Sequence, residues 1–131
     1  MSEERTVTLE DLVFIHSAAV ARYGGASGIQ DAGSLEAAAG GPYASFGGQD
    51  MFPDPFTKAA ALMESIIQHH PFVDGNKRTG TAAAVYLLRR HGYRLVGVTN
   101  TDLVDLALYV AAHRMGVEEL GTWFEDHARS A

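Results

Sequence analysis

Residues 56–90 read FTKAAALMESIIQHHPFVDGNKRTGTAAAVYLLRR and contain the strongest helical pattern of the chain. In the first half, apolar side chains recur at helical spacing at Ala59, Met63, Ile66 and Ile67. Pro71 disfavours helical geometry at the residue before it, so this helix is predicted to end at His70. A second helix is predicted to begin near Asn76 and to stop at Gly92. Its apolar positions are Ala82, Val85, Leu87 and Leu88, so two buried helices joined by a tight loop are predicted.

A helical pattern also precedes this segment. Thr8 and Asp11 have the spacing of a capping box, which predicts a helix that ends at Gly24. The apolar stripe of this helix contains Leu12, Ile15, Ala19 and Tyr23. A further short helix is predicted over residues 31–39, and the Gly and Pro residues that follow directly are predicted to end it.

The sequence contains few strand patterns. Glycine and proline in residues 41–55 predict an irregular loop with a short hairpin near residues 45–51. Residues 94–98 are the other strand candidate. Thr101 is predicted to cap a helix, and Gly116 to separate it from a last one. The predicted class is therefore all-α, a helical bundle with room for one short hairpin.

The composition fits one globular domain over residues 1–131. The chain has no cysteine, which excludes disulfides and cysteine-based sites. No uninterrupted apolar run exceeds seven residues, as in residues 82–88, so no membrane span is expected. The N-terminus carries Glu3 and Glu4 and no apolar stretch, so we expect no signal peptide and a cytoplasmic location. The net charge of −6 opposes direct binding to nucleic acid.

Residues 70–78 join the two predicted buried helices and concentrate charged side chains in one loop. Lys77 and Arg78 fall in the opening turn of a helix, where the dipole disfavours each cation by about 0.3–1 kcal/mol. Gly75 and Asn76 tolerate left-handed geometry and can turn backbone N–H groups outward, as phosphate cradles do. This arrangement suits a bound anion. The alternative is an ordinary helix start whose basic side chains extend into solvent.

Asp74 and His70 add a carboxylate and an imidazole to the same loop. A carboxylate beside phosphates is the usual protein ligand of Mg²⁺, although Asp-Gly is also a common turn pair. A neutral imidazole can take a proton from an attacking hydroxyl, although such a histidine is often structural. Together the loop residues predict phosphoryl or nucleotidyl transfer. Four other histidines have no ligating spacing and are interpreted as ordinary: His16, His91, His113 and His127.

Residues 70–78 resemble the motif of the Fic/Doc (Fido) superfamily, H-x-F-x-[DE]-[AG]-N-[GK]-R. Every specified position is matched, by His70, Phe72, Asp74, Gly75, Asn76, Lys77 and Arg78. Similarity to the Doc (death-on-curing) branch extends over most of the chain and includes residues 14–16, 22–25, 28–29 and 46–50. The resemblance implies an all-helical fold with two central helices around the motif.

The resemblance also implies a role for each motif residue. His70 would be the general base for a Ser or Thr hydroxyl, and Asp74 would bind Mg²⁺. The phosphates of ATP would be held by Gly75, Asn76, Lys77 and Arg78. Phe72 would anchor the motif in the core. A flap that holds the target peptide by strand addition would contain Phe46, Gly47, Gly48, Gln49 and Asp50.

Lys77 distinguishes two reactions within the resemblance. Members that transfer AMP carry Gly at this position, whereas Doc-like members carry Lys and transfer the γ-phosphoryl of ATP. Lys77 therefore implies a protein kinase, with translation elongation factor Tu as the family's candidate target and inhibition of translation as the result. Pro71 and Gly75 resemble the AMP-transferring members, so AMP transfer is the alternative. A catalytically silent protein-binding module is an alternative of another class.

Doc-like toxins are restrained by a partner antitoxin, whereas many Fic proteins carry an inhibitory helix with the pattern [ST]-x-x-x-E-[GN]. Residues 6–11 come nearest to that pattern but do not match its last position. The capping box that begins at Thr8 accounts for the polar residues found there. The resemblance therefore implies the toxin of a toxin–antitoxin pair, restrained by an antitoxin in trans.

Overall fold

The computed structural model of the chain describes residues 5–131. Residues 1–4, which include Glu3 and Glu4 of the signal-peptide prediction, lie outside the described residues. The described residues form six α-helices: α1 (Leu9–Tyr23), α2 (Ala32–Gly40), α3 (Pro55–His69), α4 (Asn76–Arg90), α5 (Asn100–Ala111) and α6 (Val117–His127). A 3₁₀ turn, Gly41–Tyr43, follows α2. The short strands are β1 (Ser45–Phe46), β2 (Gln49–Asp50), β3 (Tyr93–Leu95) and β4 (Ala128–Ser130), so the predicted all-α class is confirmed.

α3 and α4 form the most extensive helix pair of the fold. Gly80 permits their close approach, because a Cβ there would lie 3.0 Å from Ile67 Cγ1 and 3.2 Å from the Met63 carbonyl oxygen. α6 approaches the other end of α3 in the same way, since a Cβ on Gly121 would lie 3.0 Å from Thr57 Cγ2. The two predicted central helices are therefore confirmed, and α3 packs against α2, α4, α5 and α6.

The buried face of α4 differs from the predicted stripe. Leu87 and Leu88 are buried as predicted, but Ala82 is exposed. Thr79 and Gly80 lie on the buried face instead. The contact at Gly80 determines which side of α4 meets α3, and this contact has no apolar signal in the sequence.

Local hydrogen bonds determine where the helices begin. The Thr8 hydroxyl accepts from the Asp11 N–H at 3.1 Å, and the Asp11 carboxylate accepts from the Thr8 N–H at 2.9 Å, which confirms the predicted capping box. The prediction for α5 was wrong, because its N-cap is Thr99 rather than Thr101. Thr99 has Asp102 three residues later, which closes a second capping box. No acidic residue follows Thr101 at that spacing.

Two small antiparallel sheets complete the structure of the described residues. β1 and β2 pair with each other and confirm the predicted hairpin. Residues 94–98 were predicted as a strand, but β3 begins one residue earlier and ends sooner. β3 pairs with β4, which was not predicted because three residues after a helix carry no alternating pattern.

Most buried hydrophobic side chains of the described residues form one cluster between the helices. Phe72 of the motif loop is 1% exposed and belongs to this cluster together with Leu12 and Phe124. Tyr23 was predicted on the buried stripe of α1 but is 53% exposed, because the last turn of α1 extends past the core. No helix within residues 5–131 is long and apolar enough to cross a bilayer.

Candidate active site

The motif loop begins where α3 ends. His70 is the C-cap of α3 and has left-handed backbone geometry, with φ of 50° and ψ of 59°. Pro71 cannot continue the helix, so the boundary predicted from it is confirmed. His70 is exposed, and its carbonyl oxygen accepts a hydrogen bond from Gln30 Nε2 at 3.4 Å. The His70 imidazole is therefore accessible at the end of the central helix pair.

Asn76 joins the two ends of the motif loop. Its Oδ1 accepts from the Phe72 N–H at 3.0 Å, and its Nδ2 donates to the Phe72 carbonyl oxygen at 2.9 Å. These two buried bonds define the orientation of the amide. Nδ2 also lies 3.5 Å from His70 Nδ1, at the long limit of a hydrogen bond. Because Nδ2 only donates, this contact is a hydrogen bond only when Nδ1 of His70 carries no hydrogen.

His16 of α1 packs against the motif loop. Its ring is 3% exposed and stacks on Phe72, with ring centroids 3.9 Å apart and planes within 5° of parallel. His16 Nε2 donates to the Asp74 carbonyl oxygen at 2.8 Å. No ligating spacing marks His16 in the sequence, and its contact with the motif loop was not predicted. Its position four residues after the buried Leu12 was the available signal, because this spacing places both side chains on one helix face.

Two backbone N–H groups hold the exposed carboxylate of Asp74. Oδ1 accepts from Gly75 at 2.9 Å, and Oδ2 accepts from Ala26 at 3.2 Å. Gly25 leaves room for this carboxylate, because a Cβ there would lie 2.8 Å from Asp74 Oδ2. Each carboxylate oxygen keeps a further lone pair for another ligand.

Backbone hydrogen bonds join the motif loop to residues 24–31, the segment between α1 and α2. Val73 donates its N–H to the Gly28 carbonyl oxygen at 3.0 Å, and Gln30 donates to the Pro71 carbonyl oxygen at 2.8 Å. In the sequence, the only feature noted for this segment is the similarity of some of its residues to the Doc branch. Its contact with the motif was missed because no spacing pattern relates segments so far apart in the chain.

α4 begins without a side-chain cap. Gly75 occupies its N-cap position with φ of 74° and ψ of 22°, and no side chain bonds the first N–H groups. Unpaired N–H groups and the helix dipole both favour an anion at this point. Lys77 and Arg78 are exposed here, and within residues 5–131 neither forms an ion pair with a carboxylate. The Arg78 guanidinium lies on the Tyr23 ring, with its central carbon 4.6 Å from the ring centre.

The donor set around Asp74 fits a metal ion that shares its ligands with a bound molecule. Among the residues that the structure describes, no group of three His, Asp or Glu side chains could hold a metal. Mg²⁺ is commonly bound by one or two carboxylates together with phosphate oxygens and water. The site offers one carboxylate beside an uncapped helix start and two cations. This donor set fits Mg²⁺ bound together with phosphates, and it does not fit a metal held by the protein alone.

The predicted flap residues all lie on the exposed β1–β2 hairpin. Gly47 and Gly48 at its tip have φ of 60° and 82°, the geometry of a two-residue hairpin turn. The buried Lys58 holds the base of the hairpin, with its Nζ 3.3 Å from Asp50 Oδ2 and a second bond to the Phe52 carbonyl oxygen. The hairpin is thus attached to α3 by one buried cation.

Comparison with known proteins agrees with the motif and the fold. A family model described as the Fic/DOC family matches residues 6–88. Toxin Doc of Mycolicibacterium smegmatis is 36% identical over 110 residues, which cover 83% of this chain and 85% of the relative. Protein kinase doc of Escherichia phage P1 is 31% identical over 116 residues, which cover 88% of this chain and 90% of the relative. The chain therefore belongs to the Fic/DOC family.

Proposed function

We propose that this protein is the toxin of a toxin–antitoxin pair and that it transfers the γ-phosphoryl group of ATP to a Ser or Thr hydroxyl of another protein. The start of α4 carries this proposal: an uncapped helix and two cations without carboxylate partners in residues 5–131 lie beside Asp74 and His70. The names of the two relatives, a toxin and a protein kinase, support the same activity.

In this proposal the phosphates of ATP occupy the start of α4. Gly75 and Asn76 supply backbone donors, and Arg78 grips phosphate oxygens with its planar fork while Lys77 acts as a compact positive charge. Asp74 would hold Mg²⁺ beside them, and the bound ion would neutralise charge on the phosphates. The open left-handed geometry at Gly75 supports this assignment, because it leaves the backbone accessible.

His70 is the proposed general base. It takes the proton of the target hydroxyl as the hydroxyl oxygen forms a bond to the γ-phosphorus, while the bond from that phosphorus to the β–γ bridging oxygen breaks and ADP leaves. The contact with Asn76 would leave only Nδ1 as the acceptor nitrogen of the neutral ring. This contact is long and His70 is exposed, so the ring can rotate away and present an unprotonated nitrogen to the hydroxyl.

The proposal places the target protein on the β1–β2 hairpin. A two-stranded hairpin has free backbone edges that an extended peptide can pair with, and Phe46 is 86% exposed beside them. We take translation elongation factor Tu as the candidate target, with inhibition of translation as the consequence. An antitoxin acting in trans would restrain this activity.

Labelled ATP separates the candidate functions. The purified chain is incubated with Mg²⁺, elongation factor Tu or a bacterial lysate, and ATP labelled on the α or the γ phosphate. We expect protein-bound label from the γ position only. Label from the α position would instead establish AMP transfer, which the likeness of Pro71 and Gly75 to AMP-transferring members favours. Absence of label from both positions would indicate a binding module and contradict the kinase proposal.

The general-base assignment is tested by His70→Ala, with the neighbouring exposed histidine as the matched control. Loss of the base is expected to slow transfer by about 10²–10⁴-fold while thermal unfolding stays close to wild type. His69→Ala should keep its activity, because His69 contacts Ser65 within α3 and takes no part in the motif loop. Equal losses in the two variants would contradict a chemical role for His70.

A further inference from the structure

His16 is a buried titratable group that the proposed reaction does not use. It is 3% exposed, lies on α1, and contacts the motif loop through its ring face and through Nε2. A buried polar side chain on an apolar helix face needs a hydrogen bond to offset the loss of water. His16 makes that bond to a backbone carbonyl beside the proposed metal ligand.

The bond from His16 acts on one peptide unit of the motif loop. Nε2–H donates to the Asp74 carbonyl oxygen at 2.8 Å, and the N–H of the same peptide unit, which belongs to Gly75, donates to Asp74 Oδ1 at 2.9 Å. A trans peptide directs its C=O and N–H to opposite sides. The imidazole and the carboxylate therefore hold the same peptide plane from its two edges.

We infer that His16 is a positioning residue that orients the Asp74 carboxylate for a divalent cation. This inference depends on the proposed function, in which Asp74 binds Mg²⁺. His16 directs the peptide plane, the peptide N–H directs Oδ1, and the Ala26 N–H at 3.2 Å fixes Oδ2. Groups that orient a metal ligand from behind commonly change metal affinity or activity by about 10–100-fold when they are removed.

The ring stack explains why histidine suits this position. Phe72 lies parallel to the His16 ring with a centroid separation of 3.9 Å, which restricts the ring plane so that Nε2 faces the carbonyl oxygen. A phenyl ring could keep this stack but has no hydrogen to donate. A glutamine could donate from its amide but would not reproduce the stack. Packing and orientation can therefore be separated by substitution.

The test compares His16→Phe, His16→Gln and a control, His127→Phe, with wild type. His127 also has a ring nitrogen bonded to a backbone carbonyl, that of Trp123 at 2.7 Å, but it lies on α6. The first measurement is amide hydrogen exchange of Gly75 and Ala26 by NMR, without nucleotide or metal. The second is the Mg²⁺ concentration that gives half-maximal phosphoryl transfer.

We expect His16→Phe to accelerate exchange at both amides and to raise the half-maximal Mg²⁺ concentration by about tenfold or more. His16→Gln should restore most of both properties, and His127→Phe should change neither. Unchanged exchange and an unchanged Mg²⁺ requirement in folded His16→Phe would overturn the inference. If wild type transfers no label, the proposed function fails, whereas the exchange measurement still decides whether His16 orients the Asp74 loop.

The wild-type protein provides a check that does not depend on a variant folding. The geometry requires that the neutral His16 ring carry its hydrogen on Nε2, which long-range ¹⁵N–¹H NMR correlations of the ring identify. Detection of the tautomer with hydrogen on Nδ1 would overturn the inference, because that ring could not donate to the Asp74 carbonyl oxygen.

Discussion

Gly25 has no side chain where the Asp74 carboxylate needs space, and this makes it a sensitive position of the site. Its φ is +107°, and a Cβ would lie 2.8 Å from Asp74 Oδ2. Gly24 also has a positive φ, +85°, but a Cβ there would meet nothing within 4 Å. An alanine at either position would therefore have a strained backbone, but only the Cβ at position 25 would collide with the Asp74 carboxylate.

We predict that Gly25→Ala and Gly24→Ala each lower the free energy of unfolding by about 1–2 kcal/mol through backbone strain. Only Gly25→Ala should also displace the carboxylate and raise the Mg²⁺ requirement of transfer, by about tenfold. Urea unfolding and Mg²⁺ titrations of the two variants measure these effects. Equal Mg²⁺ requirements in the two variants would show that the carboxylate is not held against Gly25.

Thr79 carries a buried hydroxyl that we expect to lower stability. Its Oγ1 is fully buried and, within the residues that the structure describes, has no hydrogen-bond partner. Thr79→Val replaces this hydroxyl by a methyl of similar size, so we predict that the free energy of unfolding rises by about 1 kcal/mol. Thr81→Val is the control, because the Thr81 hydroxyl donates to the Lys77 carbonyl oxygen at 2.9 Å and its loss should bring no gain. Chemical denaturation of both variants tests the difference.

At the scale of elements, the β1–β2 hairpin depends on Lys58 of α3. Lys58→Met removes the bonds to Asp50 and to the Phe52 carbonyl oxygen, which is left without that donor. We predict a loss of about 1–3 kcal/mol in stability and faster amide exchange at Met51, whose N–H bonds to Ala44 across the hairpin. The KM for the protein target should rise several-fold, while the KM for ATP stays unchanged.

Asp50→Asn is the matched control for the hairpin. It removes the charge from the exposed end of the ion pair and keeps the bond from Lys58 to Phe52, so its effect on stability should stay below about 1 kcal/mol. Equal effects of the two substitutions on the KM for the target would contradict a special role of the buried cation.

The elements that the sequence predicted best are those with local signals. The capping box of Thr8 correctly predicted the start of α1, and the proline after His70 correctly predicted the end of α3. Both signals act within a few residues of the chain. The start of α5 had the same signal at Thr99, but the predicted cap was Thr101. This error was one of interpretation, since Asp102 has capping-box spacing only from Thr99.

The candidate site was predictable to the extent that it is contiguous. Residues 70–78 form one loop, so their chemistry was visible in the sequence, whereas their partners are distant in the chain. Ala26 is 48 residues from Asp74, and His16 is 58 residues from it. Helical and strand periodicity relate only neighbouring residues, so these tertiary contacts required the packing of α1 against α4.

At the scale of the whole molecule, a polar cluster joins three distant parts of the chain. The Tyr43 hydroxyl accepts from the Val7 N–H at 3.0 Å and lies 3.3 Å from His91 Nε2 at the end of α4. The buried Lys58 lies over the Tyr43 ring, with its Nζ 5.8 Å from the ring centre. Burial raises the pKa of Tyr43. Burial, and then the positive charge of Lys58, lower the pKa of His91.

The lowered pKa of His91 predicts that acid destabilises the fold through this cluster. The unfolded chain binds a proton at this residue near its ordinary pKa of about 6.5, whereas the folded chain resists it. The contribution of neutral His91 is therefore present above about pH 6.5 and is lost as the pH falls toward the lowered folded value.

His91→Gln keeps a polar partner for Tyr43 and does not titrate. Its stability relative to wild type should therefore improve between pH 7.5 and 5.5, by at most about 1 kcal/mol because the ring is partly exposed. Urea unfolding at pH 7.5, 6.5 and 5.5 measures this change. Parallel pH profiles for the two proteins would show that protonation of His91 is not coupled to folding.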